Sequence, residues 1–237
     1  MDQVKIGMDE PQEDEYAIYR ITNYSPLENL VFPKSSTYFL SNEKHFVPAP
    51  EGLEKWKNAV GAFYKKLYFR YGKRIVSKNP FNSFRIKLLY EMFPDARFIH
   101  IVRDPNCVVP STIHMWNILT KQNALNTSGA SPEFSDVVGF LKKMLDRIET
   151  DRKELPPGTM VQIRFEDLET APVDVLKGAY EKLGLPFSTL LEARINEFII
   201  QNKSFTKNTF SLTTEQKSVI SRVLEFQNKT LGYSQDH

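Results

Sequence analysis

Basic and hydroxyl side chains stand at the ends of two predicted strands in RIVSKNPFNSFRIKLLYEMFPDARFIHIVRDPNCVVPS, residues 74–111. Lys78 closes the first strand, Arg103 closes the second, and Ser111 follows Arg103 by eight residues. An arginine beside the free N–H groups of a helix start is a ready site for an anion. A lysine at a neighbouring strand end adds a point charge for a phosphate or sulfate oxygen. These types and spacings predict an anion-binding crevice.

The elements that must position these side chains alternate along the chain. Short apolar runs predict strands at 74–78, 98–102 and 160–165. Helical spacing predicts helices at 52–70, 82–93, 105–120, 134–150, 172–183, 190–200 and 213–226. Strands that alternate with helices favour an α/β fold with a parallel sheet. Ligands of such sheets bind at the carboxyl ends of the strands, where Lys78 and Arg103 are expected.

The spacing of Arg103 and Ser111 allows both to hold one phosphate. At about 1.5 Å per residue, eight helical residues place them about 12 Å apart along the axis. A charge-assisted hydrogen bond contributes about 1.5 to 3 kcal/mol. Pro110 removes one helix hydrogen bond and is expected to bend or delay the helix. The alternative is a structural arginine paired with Asp104 or Glu91, with a serine that faces solvent.

The composition limits the partners of the chain. The 237 residues are 41% hydrophobic and 25% charged, and a net charge of +2 is too small to indicate nucleic acid. One cysteine, Cys107, excludes an internal disulfide, and no Cys/His ligand spacing predicts a metal site. No membrane span or signal peptide is recognisable, so we expect a cytoplasmic protein. Without repeats or a linker, 1–237 is predicted to be one domain.

The order of motifs resembles the PAPS-dependent sulfotransferase family, in its bacterial type. KNP at 78–80 precedes a helix, FPDARF at 93–98 enters a strand, and RDP at 103–105 opens a helix. FEDL at 165–168 and LGLP at 183–186 are similar to later family motifs. The resemblance spans nearly the whole chain. It implies a parallel sheet flanked by helices, related to the nucleotide kinases. It also implies transfer of a sulfuryl group from 3′-phosphoadenosine 5′-phosphosulfate (PAPS) to a hydroxyl or amine acceptor, without a metal.

The resemblance implies roles for individual residues. Arg103 and Ser111 match the pair that binds the 3′-phosphate of PAPS. Lys78 matches a lysine that stabilises charge near the transferring sulfate. Lys207, in the basic stretch NKSFTKN, lies where a loop of relatives closes over the nucleotide. Phe165 stands where many relatives have a tyrosine, so a hydroxyl group that could touch the nucleotide is absent.

The general base is left open by the resemblance. A hydroxyl acceptor needs a carboxylate or imidazole within hydrogen-bond reach. The acidic cluster Glu13, Asp14 and Glu15 supplies the first candidates, and we select Glu13 and Glu15 as catalytic. The alternative is an acidic helix start. His114 and His100 follow, although His100 alternates within an apolar strand and is expected to lie in the core.

The main departure from the family is an absence at the N-terminus. Relatives begin with a strand and a P-R-S-G-T-T loop that holds the 5′-phosphosulfate, and no such loop occurs in this sequence. We therefore expect an N-terminally truncated domain that is weak or inactive alone and self-associates through an exposed sheet edge. Two alternatives remain: a noncatalytic remnant or interaction module, and a P-loop kinase-like phosphotransferase, which no Walker motif supports.

Overall fold

The computed structural model describes residues 12–31, 46–125, 132–204 and 206–233. Its helices are α1 (Asp14–Thr22), α2 (Glu28–Val31), α3 (Pro50–Tyr71), α4 (Ile86–Met92), α5 (Pro105–Asn123), α6 (Phe134–Glu154), α7 (Phe165–Thr170), α8 (Pro172–Lys182), α9 (Thr189–Gln201), α10 (Thr214–Val223) and α11 (Glu225–Leu231). The strands are β1 (Phe98–Val102) and β2 (Met160–Arg164), and a 3₁₀ helix spans Pro80–Phe84. The predicted α/β fold, with helices around a parallel sheet, is confirmed.

β1 and β2 pair in parallel, and the register sets the geometry of the functional edge. The last pair of the ladder is Val102 opposite Arg164. Both strands are confirmed, and β2 ends one residue earlier than predicted. Because the carboxyl ends of parallel strands lie side by side, Arg103 and Phe165 leave the sheet at the same edge.

The face of the sheet next to α8 is covered unequally. Val161 and Ile163 of β2 are buried against Leu183, which follows α8. On the same face, Ile99 and Ile101 of β1 are 39% and 51% exposed. Among the described residues, β1 has no strand partner other than β2. Its free edge therefore carries backbone groups that a further strand can pair with.

The predicted strand at 74–78 is wrong. These residues form no ladder with any described residue, and Val76 is 86% exposed. Ser77 donates a hydrogen bond to Asp14 at 2.7 Å. An apolar pattern becomes a strand only where a neighbouring strand satisfies its backbone groups. Lys78 therefore follows an extended segment and does not end a strand of the sheet.

Two predicted helices are divided in the structure. The helix predicted at 82–93 is the 3₁₀ helix followed by α4, and the two meet at Arg85, whose backbone is not helical. The helix predicted at 213–226 becomes α10 and α11, which meet at Leu224. The delay expected from Pro110 does not occur, since α5 begins at Pro105 and continues through it.

The largest apolar cluster holds β1 against α5, α6 and the C-terminal helices. Val109 of α5 and Leu224 are fully buried, and Val138 of α6 and Ile220 of α10 are 1% exposed. Burial of each such side chain contributes about 1.5 to 3 kcal/mol. The cluster fixes the start of α5, and with it the point at which Arg103 leaves the sheet.

A buried ion pair attaches α1 to the start of α4. Arg85 and Glu15 are each 1% exposed, and the Nη1 and Nη2 atoms of Arg85 lie 2.6 and 3.0 Å from the two carboxylate oxygens. Ser25 donates to the same carboxylate at 2.7 Å. The guanidinium also donates to the carbonyl of Phe46 and stacks 4.9 Å from the Trp56 ring. Every oxygen and nitrogen of this pair is thus engaged.

Glu15→Gln should destabilise the chain, because it leaves the Arg85 guanidinium charged and uncompensated in the interior. The expected loss in the free energy of unfolding is about 3 to 5 kcal/mol, measured by urea denaturation. The matched control is Glu197→Gln, which breaks an exposed ion pair with Arg194 and should change stability by less than about 1 kcal/mol. Equal effects of the two variants would contradict the anchoring role.

Candidate functional site

Arg103 is held at the edge of the sheet by an aromatic ring. Its Cζ lies 4.6 Å from the centre of the Phe165 ring, which follows β2. The side chain is half-buried and forms no ion pair or hydrogen bond with any described residue. A guanidinium in this position keeps its N–H donors available for a planar or tetrahedral anion.

Asp104 caps α5 and does not neutralise Arg103. Its carboxylate accepts hydrogen bonds from the backbone N–H and the side-chain amide of Asn106, at 2.8 and 3.0 Å. No ion pair joins Arg103 to Asp104 or to Glu91 in the described part of the chain. These contacts therefore do not support the alternative that Arg103 is a structural arginine paired with Asp104 or Glu91.

Ser111 lies within α5, on the helix that Arg103 precedes. At about 3.6 residues per turn, it lies just under two turns beyond Pro105. Its side chain is half-buried, and its hydroxyl makes no hydrogen bond with a described residue. Arg103, just before α5, and Ser111, near the start of α5, therefore both have hydrogen-bond donors that no described residue occupies.

Lys207 reaches the same aromatic ring from a distant part of the chain. Its Nζ lies 5.5 Å from the centre of the Phe165 ring. It also forms an ion pair with Glu169 of α7, at 2.6 Å from both carboxylate oxygens. The predicted nucleotide contacts Arg103 and Lys207 are therefore brought together around Phe165. The sequence indicated only that Phe165 lacks the hydroxyl group of a tyrosine, and it gave no sign of the contact with Glu169. The signal that was available is that Phe165 and Arg103 follow the ends of two paired strands.

Glu166 and Tyr233 fix the two strand ends beside this ring. The Glu166 carboxylate accepts hydrogen bonds from the Asp104 backbone N–H at 3.2 Å and from the Tyr233 hydroxyl at 2.6 Å. Burial opposes ionisation of Glu166, but these hydrogen bonds outweigh it and lower its pKa. Burial, with the Glu166 carboxylate, raises the pKa of Tyr233 to about 12. The guanidinium of Arg164 stacks on the Tyr233 ring at 4.5 Å.

A second group of polar side chains forms where α1 meets the segment around Lys78. Glu13 and Lys78 form an ion pair, in which the lysine side chain is 81% exposed and the glutamate 26%. Asp14 accepts hydrogen bonds from Ser77 at 2.7 Å, from Asn79 at 2.8 Å and from the Tyr64 hydroxyl. Burial raises the pKa of Tyr64, so this phenol stays protonated as a donor.

The three acidic residues divide into structural and accessible carboxylates. Glu15 is enclosed by Arg85, and Asn79 also donates to it at 2.8 Å. Asp14 is occupied by three donors. Glu13 remains beside an exposed lysine and near solvent. Of the predicted catalytic residues, the structure brings Lys78 and Glu13 together, whereas Glu15 supports the element that carries Glu13.

The two groups of candidate residues have no direct contact in the described residues. No hydrogen bond, ion pair or ring contact links Lys78 and Glu13 to Arg103, Ser111 or Lys207. The described residues contain no group of three or more His, Cys, Asp or Glu side chains that could hold a metal ion. Of the helices they form, none is both long and apolar enough to cross a membrane.

The two candidate histidines lie in different environments. His100 lies between the sheet and α6, opposite Gln162 in the ladder, and its Nδ1 has no hydrogen-bond partner. Burial lowers the pKa of His100 to about 4, so it is neutral near pH 7. The structure thus places His100 partly buried beside α6 and not among the fully buried residues of the core. His114 is exposed on α5, with its ring 5.4 Å from that of Phe210.

Comparisons with known proteins assign the family. A sequence profile of the sulfotransferase family matches residues 21–189. The chain belongs to this family. It is 32% identical over 220 residues to omega-hydroxy-beta-dihydromenaquinone-9 sulfotransferase Stf3 of Mycobacterium bovis, which covers 93% of the chain and 57% of that protein. It is 24% identical over 174 residues to a putative protein-tyrosine sulfotransferase of Caenorhabditis elegans, covering 72% of the chain and 64% of that protein.

A solved structure supports the same fold. Sulfotransferase STF9 from Mycobacterium avium superposes with a TM-score of 0.75 at 16% identity, covering 95% of the chain and 57% of STF9. The sulfotransferase fold predicted from the motif order is therefore confirmed. The chain spans 57% of the length of the mycobacterial sulfotransferase that it matches in sequence.

His100 should make stability depend on pH between about 6.5 and 4. In this range the unfolded chain binds the extra proton, because burial lowers the pKa of the folded imidazole to about 4. Stability is therefore lost as pH falls, by at most about 3 kcal/mol. His100→Gln should flatten this slope in urea denaturation at pH 7, 5.5 and 4.5. The exposed His114→Gln should retain it, and parallel profiles for wild type and His100→Gln would contradict the prediction.

Proposed function

We propose that this sulfotransferase-family chain binds PAPS through Arg103, Ser111 and Lys207, for transfer of a sulfuryl group to a hydroxyl or amine acceptor. PAPS supplies the activated sulfuryl group. The observation that carries the proposal is a half-buried arginine with no carboxylate partner among the described residues, stacked on a ring that it shares with a second cation. A half-buried guanidinium of this kind keeps N–H donors available for an anion.

The donor set fits a 3′-phosphate. The Arg103 guanidinium can donate two parallel hydrogen bonds to phosphate oxygens, and the Ser111 hydroxyl can donate one more. Lys207 adds a point charge once it exchanges Glu169 for the nucleotide. Both partners of this ion pair are about two-fifths exposed, at 43% and 39%. An exchange between two exposed anionic partners costs little.

Lys78 and Glu13 are the proposed catalytic residues. Glu13 takes the proton of the acceptor hydroxyl, which general-base chemistry requires within hydrogen-bond reach. Lys78 donates hydrogen bonds to the oxygen that gains negative charge as the sulfuryl group leaves. Their ion pair keeps both side chains at the same surface before substrate binds. Glu15 acts indirectly, because its ion pair with Arg85 positions the helix that Glu13 precedes.

We propose that the acceptor carries a hydroxyl group, because the names of two relatives refer to acceptors of this kind. One relative is named for an omega-hydroxy menaquinone and another for protein tyrosine. We propose the same reaction type for this chain, with both kinds of hydroxyl as first assay substrates. The amine acceptor remains the less supported choice.

A purely binding role is the second candidate. The exposed side chains of Ile99 and Ile101 on β1 favour it, because an exposed apolar sheet face is a surface that a partner can cover. Within the described residues, the other edge of β1 also has no strand partner. We propose that a second copy of the chain pairs at this edge, so that the chain self-associates.

Binding of 3′,5′-ADP tests the nucleotide site. Calorimetry should show binding to the wild-type chain and a loss of about tenfold to a hundredfold in affinity for Arg103→Ala, since two charge-assisted hydrogen bonds disappear. Arg194→Ala is the matched control, because Arg194 is an exposed arginine paired with Glu197. Equal affinities of the wild type and Arg103→Ala would refute the site.

Sulfuryl transfer tests the catalytic residues. Transfer from radiolabelled PAPS to a hydroxyl acceptor should be measured for the wild-type chain and its variants. Lys78→Ala and Glu13→Gln should lower turnover by about a hundredfold or more. Neither change should alter 3′,5′-ADP affinity, because both residues lie outside the Arg103 group. Unchanged turnover in both variants would rule out the assignment.

A further inference from the structure

Phe165 contacts both cations of the proposed nucleotide site. The Arg103 guanidinium carbon lies 4.6 Å from the ring centre and the Lys207 ammonium 5.5 Å. The two cations come from segments far apart in sequence, the end of β1 and the segment between α9 and α10. The Phe165 ring therefore contacts two cations that are distant from each other in the sequence.

An aromatic ring holds cations without consuming their hydrogen-bond donors. The ring face carries partial negative charge and attracts a guanidinium or ammonium group. A carboxylate in the same place would accept the N–H groups of Arg103 and neutralise its charge. A phenyl ring instead fixes the plane of the guanidinium and leaves its N–H edge available. Arg103 forms no hydrogen bond or ion pair with the described residues, so the ring supplies the specific interaction among them that orients it.

The ring itself is fixed by its neighbours in the chain. Arg164 before it is the last residue of the ladder, opposite Val102. Glu166 after it accepts hydrogen bonds from the Asp104 backbone and from Tyr233. Arg103 lies between Val102 and Asp104 in the other strand end. The ring and the guanidinium thus stand on two backbone segments that are joined on both sides.

We propose that Phe165 is a positioning residue that orients Arg103, and beside it Lys207, toward the 3′-phosphate of the nucleotide. The inference rests on the proposed function, because it gives Phe165 a part in that same site. The proposal also accounts for a phenylalanine where many relatives have a tyrosine. The nucleotide site uses the face of the ring and not a hydroxyl group, so either residue can orient Arg103.

The test compares Phe165→Leu with Phe165→Tyr in calorimetric titrations with 3′,5′-ADP. Leucine keeps an apolar side chain but removes the ring face, so affinity should fall about five- to tenfold. Tyrosine keeps the ring face and should retain affinity within about twofold. The control is Phe198→Leu, since Phe198 is a 66% exposed phenylalanine of α9 and should leave affinity unchanged.

A double-variant cycle separates positioning from a merely structural role. If Phe165 acts through Arg103, most of the loss caused by Phe165→Leu should vanish in an Arg103→Ala background. A structural role would add its full loss in both backgrounds and would lower the thermal midpoint of the ligand-free chain.

Three results overturn parts of the account separately. Full affinity in Arg103→Ala rejects the proposed function itself. A loss in Arg103→Ala with none in Phe165→Leu rejects the role of Phe165 and leaves the proposed function standing. A Phe165→Leu loss that is fully additive with Arg103→Ala also rejects positioning through the arginine.

Discussion

The parallel pairing of β1 with β2 is the constraint on which the proposed nucleotide site depends. Because Val102 stands opposite Arg164, the next residues of the two strands, Arg103 and Phe165, emerge side by side. A shift of the register by one residue would turn alternate side chains to the opposite face and separate the ring from the guanidinium. Glu166 then locks the register from outside the ladder, through its hydrogen bonds to the other strand end.

A second constraint acts on the acidic segment at the start of α1. A fully buried carboxylate is stable only with a partner, and Arg85 supplies it for Glu15. With Glu15 fixed in the interior and Asp14 bound by its neighbours, Glu13 is directed to Lys78. The pattern of three consecutive acids thus acquires three different roles from its surroundings, one buried, one bridging and one accessible.

The sequence predicts the elements that carry their own signals. β1 is an apolar run apart from His100, and α5 begins with a capping Asp104 before a proline, so both follow from local rules. The segment 74–78 has only Ile75 and Val76 as apolar residues and no strand beside it in the described residues, and it remains extended chain. Local pattern specifies a strand only when its partner is present.

The contacts that complete the proposed site could not be read from local pattern. Phe165 gains its role from the register of two strands that are far apart in sequence, and Glu169 from a loop that returns from beyond α9. Both depend on tertiary packing. The position of Phe165 after β2 is the signal that was available, since it matches that of Arg103 after β1.

A crystal structure of this chain bound to 3′,5′-ADP tests the central claim most directly. The account predicts the 3′-phosphate within hydrogen-bond distance of the Arg103 guanidinium and the Ser111 hydroxyl, with the guanidinium still stacked on Phe165. A nucleotide bound elsewhere, with Arg103 free of its phosphates, would contradict the account.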